Sequence, residues 1–233
     1  MKNQSNVYPI LANSSDKIIE VSLNKLLVRN SSGSWAKDAK WDEYIFHIEN
    51  ISDKSITIEN ITIIGALDKT FIPLTTRRHL NKETRSTINR YKKAGIKIKL
   101  GDGSTNMLAG SLTGAVVGTG IGAGIASTGA LTTSAGTLTT AGGAVVVAIP
   151  ALAIGGIVKI VNNTKVSNQI KKRQTQMPLS ISTKQKEIID LFYSAIPGPK
   201  QIEILYSDSN EQHVLIMNLG EKFNKLHYKQ KGN

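Results

Sequence analysis

The sequence predicts a mainly β protein, an antiparallel β-sandwich that carries an inserted Gly-rich α-helical hairpin. Apolar segments rich in β-branched residues recur near both ends of the chain, with turn-forming clusters between them, as expected for antiparallel strands. Between these segments, residues 103–158 contain no Asp, Glu, Lys, Arg or His, although charged residues make up 20% of the chain. The strands predict the sandwich, and this charge-free stretch predicts the hairpin.

Period-two patterns predict three main strands before the charge-free stretch, at residues 17–28, 41–50 and 56–64. In the second of them Tyr44, Phe46 and Ile48 share one face, and in the third the alternation slips after Asn60, which indicates a bulge. A short edge strand is predicted at 70–74.

The segment that leads into the charge-free stretch changes character. Residues 77–94 are basic with few apolar positions, and they suit either a helix or a long loop. Residues 96–100 alternate Ile or Leu with Lys, which predicts a strand.

After the charge-free stretch, a helix and two strands are predicted. Residues 183–193 place Ile188, Leu191 and Phe192 at helical spacing, which predicts a short helix. The tail from Gly220 is basic and polar and is predicted to be frayed. The two strands cover residues 201–206 and 213–219.

One β domain with a long insertion is favoured over two small β domains, because neither side alone would bury a sufficient core. The predicted divisions are an N-terminal tail at 1–16, a first part of the β domain at 17–100, the Gly-rich hairpin insertion at 101–165, a second part of the β domain at 166–220, and a C-terminal tail at 221–233.

The charge-free stretch contains two segments long enough to cross a bilayer as helices. Residues 107–126 number 20 and residues 141–158 number 18, and a membrane helix needs roughly 17 to 25 mostly apolar residues. Residues 127–140 can turn the chain back between them. A soluble helix pair buried in a larger protein complex remains an alternative interpretation.

The first segment has a regular ridge of small residues. Gly110, Gly114, Gly118 and Gly122 recur every four residues, and Ala126 continues the series. Residues four apart share a helix face, and small residues there let helices approach closely in membranes. The segment resembles the glycine-zipper segments of bacterial envelope proteins. That resemblance implies that these five residues are packing positions in an oligomer.

Two further resemblances point to a cell envelope. The charge-free stretch is similar to the hydrophobic hairpin of channel-forming bacteriocins, although those hairpins belong to all-helical domains. The β-rich part resembles immunoglobulin-like envelope domains in its strand spacing. These resemblances imply an immunoglobulin-like sandwich in a protein associated with a bacterial membrane.

The net charge of +12 is concentrated on both sides of the charge-free stretch. Residues 77–99 carry a net charge of +8 and residues 159–173 a net charge of +5. Basic residues near the ends of membrane segments favour the side of the membrane that carries anionic lipid. Since both basic blocks lie outside the hairpin, both would face the same side of the membrane. The residues predicted to contact headgroups are Arg77, Arg78, Lys97, Lys99, Lys159, Lys165, Lys171, Lys172 and Arg173.

No sequence motif indicates catalysis, a cofactor or a metal site. Residues 118–123 match a relaxed dinucleotide-binding pattern, but the acidic residue expected about 20 positions later is missing. The chain has no Cys, and its four His are isolated in sequence. Asp42 and Glu43 are predicted to be solvated rather than a catalytic pair.

These observations predict a non-enzymatic, membrane-associated envelope protein without cofactor or metal, which oligomerises through the glycine zipper as a structural ring or pore component. Other envelope proteins are possible partners. The alternatives are a soluble scaffold subunit that buries the hairpin in a larger complex, and a secreted pore-forming toxin. Nucleic acid is a poor candidate partner, since residues 77–99 offer only Tyr91 for base stacking.

Overall fold

The structure is a computed structural model that describes residues 10–28, 39–101, 163–209 and 211–229. The chain is mainly β in these ranges. The strands are β1 (Ala12–Ser15), β2 (Ile19–Leu27), β3 (Trp41–Asn50), β4 (Ile56–Ile64), β5 (Thr70–Phe71), β6 (Leu179–Ile181), β7 (Lys186–Ser194), β8 (Gln201–Ser207) and β9 (Gln212–Asn218), and the helices are α1 (Arg77–Lys93) and α2 (Asn163–Arg173).

The strands form two antiparallel sheets. The first sheet has the order β1-β2-β3-β7, and the second has the order β5-β4-β8-β9, with β6 also paired to β4. Strands from both sides of the charge-free stretch meet in each sheet, as β3 pairs with β7 and β4 pairs with β8. The prediction of a mainly β, antiparallel protein is therefore confirmed.

The inner faces of the two sheets enclose one apolar core. Alternate residues of β3 point into it, with Tyr44 and Phe46 fully buried, as expected for period-two strands. Ile58 of β4 and Tyr206 of β8 fill it from the other sheet. Tyr193 of β7 crosses the core and donates its hydroxyl to the Ile61 carbonyl oxygen at 2.8 Å.

The outer face of the first sheet is covered by both helices. α1 packs on β3 and β7, and α2 packs on β7 and on α1. This side of the sheet therefore has a second, smaller apolar cluster. Its members are Ala39, Trp41, Leu80, Val166, Ile170 and Phe192.

The predicted helix at 183–193 is wrong, because these residues contain strand β7. β7 is buried on both faces: Ile189 and Leu191 point into the sandwich, and Phe192 points toward the helices. A strand covered on both sides lacks the apolar–polar alternation that identifies a half-exposed strand. Its apolar residues fell by coincidence at helical spacing.

Most of the other local predictions are confirmed, and one is wrong. The strands at 17–28, 41–50 and 56–64 are confirmed, and the register of β4 shifts between Ile58 and Asn60, next to the predicted slip. Residues 77–94 adopt the helical alternative as α1. The strand predicted at 96–100 is wrong; Ile98 makes only an isolated bridge to Tyr228.

Both predicted tails include ordered elements. β1 lies within residues 1–16 and pairs with β2 at the edge of the first sheet. After Gly220 the chain forms a turn of 3-10 helix, and Phe223, Leu226 and His227 are buried. The described part of this predicted tail, residues 221–229, thus packs at one end of the two sheets, and the prediction of fraying is wrong for these residues.

The predicted hairpin at 101–165 lies almost entirely outside the described residues, as do Gly110, Gly114, Gly118, Gly122, Ala126 and Lys159. In the part of the chain that the structure describes, neither helix is long and apolar enough to span a membrane.

Candidate functional site: a basic helical layer and its anchors on strand β3

Helix α1 has one buried face. Leu80, Thr84, Thr87 and Tyr91 are buried, and their spacing of four, three and four residues places them on a single helical stripe. Two of the four are threonines, so this face combines apolar packing with hydrogen bonding. It lies against the outer face of the first sheet.

The opposite face of α1 is basic. Arg78, Lys82, Arg85, Asn89 and Lys92 are all exposed, and they follow one another at spacings of four, three, four and three residues. The helix contains seven basic residues and one acidic residue in total. Because exposed like charges on one helix face repel one another, the stripe does not serve the stability of the helix.

Hydrogen bonds from the buried face fix α1 on the sheet. The Thr84 hydroxyl donates to the Lys40 carbonyl oxygen and accepts from the Ala195 amide at 3.1 Å. The Tyr91 hydroxyl donates to the Ala66 carbonyl oxygen. These contacts, made in addition to apolar packing, set the rotation of the helix and so keep its basic face outward.

The one acidic side chain of α1 forms an ion pair with a residue outside the helix. Glu83 pairs with Lys69, whose ammonium group is also 3.3 Å from the Thr87 hydroxyl. Because Glu83 is paired with Lys69, the basic side chains of α1 are the main source of charge on the outward face of this helix.

Helix α1 ends in a Schellman motif. Gly95 has φ +77°, its amide donates to the Lys92 carbonyl oxygen at 3.0 Å, and the Ile96 amide donates to the Tyr91 carbonyl oxygen at 2.9 Å. A left-handed residue at this position favours Gly. The motif turns the chain sharply, so that residues 97–101 run beside residues 227–229 toward the charge-free stretch.

Helix α2, which follows the charge-free stretch, repeats the arrangement on a smaller scale. Val166 and Ile170 are buried against the sheet at a spacing of four residues. Lys165, Lys171 and Lys172 are exposed, and the helix contains no acidic residue. We call α1 and α2 together the basic helical layer.

The chain that leaves α1 is held by a buried Asp–His pair. His227 Nε2 lies 2.8 Å from Asp42 Oδ2, and both side chains are 1% exposed. The Gly101 amide donates to His227 Nδ1 at 2.9 Å. Asp42 Oδ2 also accepts from the Ile196 amide at 3.3 Å. Asp42 of β3 thus holds, through one imidazole ring, the last described residue before the charge-free stretch.

The end of α2 is held by a second acidic side chain. Arg173 donates its Nε–H to Glu43 Oε1 at 2.9 Å, and this Nε lies 3.4 Å from Asp190 Oδ2. The chain then joins β7, because the Thr175 amide donates to the Asp190 carbonyl oxygen and the Asp190 amide donates to the Thr175 hydroxyl. Glu43 is 3% exposed, so this ion pair is largely shielded from water.

Burial changes the proton affinity of this second cluster. Desolvation, reinforced by the neighbouring Glu43 carboxylate, raises the pKa of Asp190 to about 9 despite the nearby guanidinium of Arg173. Lys25 of β2 approaches the same groups, and burial lowers the pKa of its ammonium group. The raised pKa keeps the Asp190 carboxyl group protonated at neutral pH, beside the Glu43–Arg173 pair.

The two anchors occupy adjacent residues of one strand. Asp42 points to the inner side of the first sheet and Glu43 to its outer side, because successive side chains of a strand alternate. One rigid strand thereby positions the chain on both sides of the charge-free stretch. The prediction that Asp42 and Glu43 are solvated is wrong, since both are buried by partners more than a hundred residues away.

The predicted basic residues divide into two groups. Arg173 is a correction: its guanidinium is turned toward Glu43 and Asp190 instead of outward. Arg77 is half-buried. The exposed members of the predicted set are Arg78, Lys97, Lys99, Lys165, Lys171 and Lys172.

Sequence reasoning missed Lys82, Arg85 and Lys92 as members of an ordered stripe. Their spacing was available in the sequence, but it is meaningful only if residues 77–94 form a helix. The described residues contain no cluster of His, Cys, Asp or Glu suited to a metal ion.

No family model matches the chain, and searches of curated proteins and of solved structures also return no match. The fold and the geometry of the basic helical layer are therefore the basis for inferring what the protein does.

Proposed function

We propose that the protein is a non-enzymatic, membrane-associated envelope protein in which the basic helical layer binds anionic headgroups and the charge-free stretch enters the bilayer. The observation that carries this proposal is the exposed stripe of Arg78, Lys82, Arg85 and Lys92 on a helix that immediately precedes the stretch. Basic residues near a lipid surface each contribute about 1 kcal/mol of attraction to anionic lipid.

The arrangement of the two helices supports a topology in which both ends of the charge-free stretch lie on the same side of the membrane. α1 and α2 pack on the same face of the first sheet and contact each other. A hairpin formed by residues 101–165 would then begin and end beside one basic surface, as two crossings require.

The two anchors support a structural rather than a catalytic role. Asp42 and His227 are both buried, and the hydrogen bonds of the imidazole are taken up by Asp42 and by the Gly101 backbone. Such a ring is not available to a substrate. The two antiparallel sheets with a common core are compatible with the immunoglobulin-like sandwich predicted from strand spacing.

A vesicle-binding experiment tests the headgroup contact. The full chain is floated with vesicles of phosphatidylglycerol or of phosphatidylcholine, and the Arg78→Gln, Lys82→Gln, Arg85→Gln triple variant is compared with wild type. Loss of three surface bases should weaken binding to the anionic vesicles by about a hundredfold, at about 1 kcal/mol for each base.

The matched control removes the same charge elsewhere. Lys17, Lys54 and Lys225 are exposed and lie outside the basic helical layer, and their replacement by Gln should weaken binding far less. Equal binding of wild type to both lipids, or equal losses in the two triple variants, would refute the proposed headgroup contact.

The glycine zipper is tested separately on the bilayer-bound protein. Gly114→Leu or Gly118→Leu places a large side chain on the ridge and should reduce oligomerisation without reducing headgroup binding. Full protease access to residues 107–158 on vesicles would contradict insertion. Complete extraction by carbonate as a large oligomer would instead favour the soluble scaffold. Dye release from vesicles, abolished by either glycine variant, would favour the pore-forming toxin.

A further inference from the structure

We propose that His227 is a proton-dependent latch on the Gly101 backbone: the neutral ring holds the amide of Gly101, and the protonated ring releases it. The proposal rests on contacts between described residues alone. It therefore stands or falls independently of whether the charge-free stretch enters a membrane.

The hydrogen bonds define which ring nitrogen carries the proton. The Gly101 amide is a donor, so His227 Nδ1 must accept and is unprotonated. In a neutral imidazole the other nitrogen then carries the hydrogen. Nε2–H consequently donates to Asp42 Oδ2 at 2.8 Å.

A second proton on the ring affects only one of these two contacts. Imidazolium has N–H groups at both nitrogens and no acceptor, so Nδ1–H and the Gly101 N–H would face each other as two donors. The Nε2–H contact to Asp42 survives and gains a charge attraction. A protonated ring therefore keeps its contact with Asp42 and loses its hydrogen bond with the Gly101 amide.

The backbone of His227 indicates that this position is held by its contacts. Its φ of +61° lies in the left-handed region, which non-Gly residues seldom adopt. Such a conformation costs free energy and persists where surrounding contacts impose it, frequently at functional positions. Here Asp42 and Gly101 bind the ring, and the Lys99 amide donates to the His227 carbonyl oxygen at 3.0 Å.

Among the described residues, charged and titratable groups on β3, on the segment that carries Gly101 and next to His227 in sequence surround the imidazole ring. Asp42 of β3 is in direct contact with it, and Tyr44, on the same strand, is a buried phenol close to Asp42. On the segment that carries Gly101, the Lys97 and Lys99 side chains are exposed. The adjacent Tyr228 is half-buried, and burial raises the pKa of its phenol, so it stays neutral in the range of interest.

Amide hydrogen exchange of the full chain tests the latch. Once intrinsic exchange rates are taken into account, the Gly101 amide should lose about five- to tenfold protection, the factor for a hydrogen bond of ordinary net strength. Exchange is measured at a series of decreasing pH values, and the loss should coincide with uptake of the second proton by the His227 ring. Lys99 serves as the internal control, since its amide bonds to the His227 backbone, and it should keep its protection.

Two variants separate the latch from general acid sensitivity. His227→Gln keeps a donor and an acceptor but does not titrate, so Gly101 protection should become independent of pH. His213→Gln removes a histidine that is paired with Asp208 on the far sheet, and it should retain the wild-type response. A response that persists in His227→Gln, or its absence in wild type, would overturn the proposal.

A measurement on wild type covers the case in which His227→Gln does not fold. Nitrogen NMR of the imidazole should show the Nε2–H tautomer at high pH and protonation of Nδ1 in step with the loss of Gly101 protection. A ring that stays neutral while the Gly101 amide opens, or one that protonates while Gly101 stays protected, would also overturn the latch.

Discussion

Arg173 and Glu43 form an ion pair between the last residue of α2 and strand β3 of the first sheet beneath it, with Nε–H donating to Oε1 at 2.9 Å. The side chain of Arg173 is 18% exposed and that of Glu43 is 3% exposed. Among the side chains of α2 that the structure describes, only Val166 and Ile170 are buried. The position of this helix on the sheet therefore depends strongly on the ion pair.

Replacing Arg173 by Met should lower the free energy of unfolding by about 3 kcal/mol, because Glu43 and Asp190 would lose their guanidinium partner inside the protein. Urea denaturation measures the change. Lys172→Met removes the same charge from an exposed neighbour and should change stability by no more than about 0.5 kcal/mol. Similar losses in the two variants would contradict a specific role for Arg173.

Asp190 should make stability fall as pH rises. Its folded-state pKa of about 9 lies above the value of about 3.9 for an unfolded chain. The group's stabilising contribution is therefore complete below about pH 4 and declines toward about pH 9.

Asp190→Asn cannot titrate, so its stability should improve relative to wild type as pH rises, by at most about 1.4 kcal/mol for each pH unit. Denaturation midpoints measured across this range provide the comparison. Asp53→Asn alters an exposed carboxylate and should run parallel to wild type. A constant difference between Asp190→Asn and wild type would show that Asp190 is already ionised in the folded protein.

Leu80→Ala should destabilise the protein by about 2–5 kcal/mol, the cost of emptying a fully buried leucine site. Leu80 is the apolar contact of α1 with the smaller cluster on the outer face of the first sheet. Chemical denaturation followed by circular dichroism measures the loss. Ser86→Ala, on the exposed side of the same helix, is the control; comparable losses would mean that α1 is not seated through Leu80.

Gly65→Ala should destabilise the protein by about 1–3 kcal/mol, because an added Cβ would lie too close to packed neighbours. The Cβ position is 2.8 Å from Phe71 Cε2 and 3.1 Å from Ile196 Cγ2. At Gly220 an added Cβ meets nothing within 4 Å, so Gly220→Ala should be neutral or slightly stabilising. Thermal denaturation of the two variants measures the difference in stability, and equal midpoints would contradict the close packing at Gly65.

The half-exposed strands could be predicted from sequence because their alternation reflects one buried face. β7 could not, since Phe192 is buried under the helices while Leu191 is buried in the sandwich. The alternation disappears when both faces are covered. Its assignment required knowledge that α1 and α2 lie over the first sheet.

The anchors could not be predicted for a different reason. Asp42 meets His227 across 185 residues, and Glu43 meets Arg173 across 130 residues. Local sequence contains no signal for partners so distant, and adjacent acidic residues are mostly solvated. By contrast, the basic character of residues 77–99 and 159–173 is local, and sequence alone located the charge of the basic helical layer correctly.

The pairing of early strands with late strands has a consequence for biosynthesis. β3 and β4 find their central neighbours, β7 and β8, only after the whole charge-free stretch has been made, and Tyr193 reaches Ile61 across 132 residues. Contacts this distant in sequence form slowly, because the intervening loop must close first. On the ribosome, the edge of β3 that receives β7 and the edge of β4 that receives β8 stay unpaired while the charge-free stretch emerges, so that stretch is exposed before the two sheets are complete.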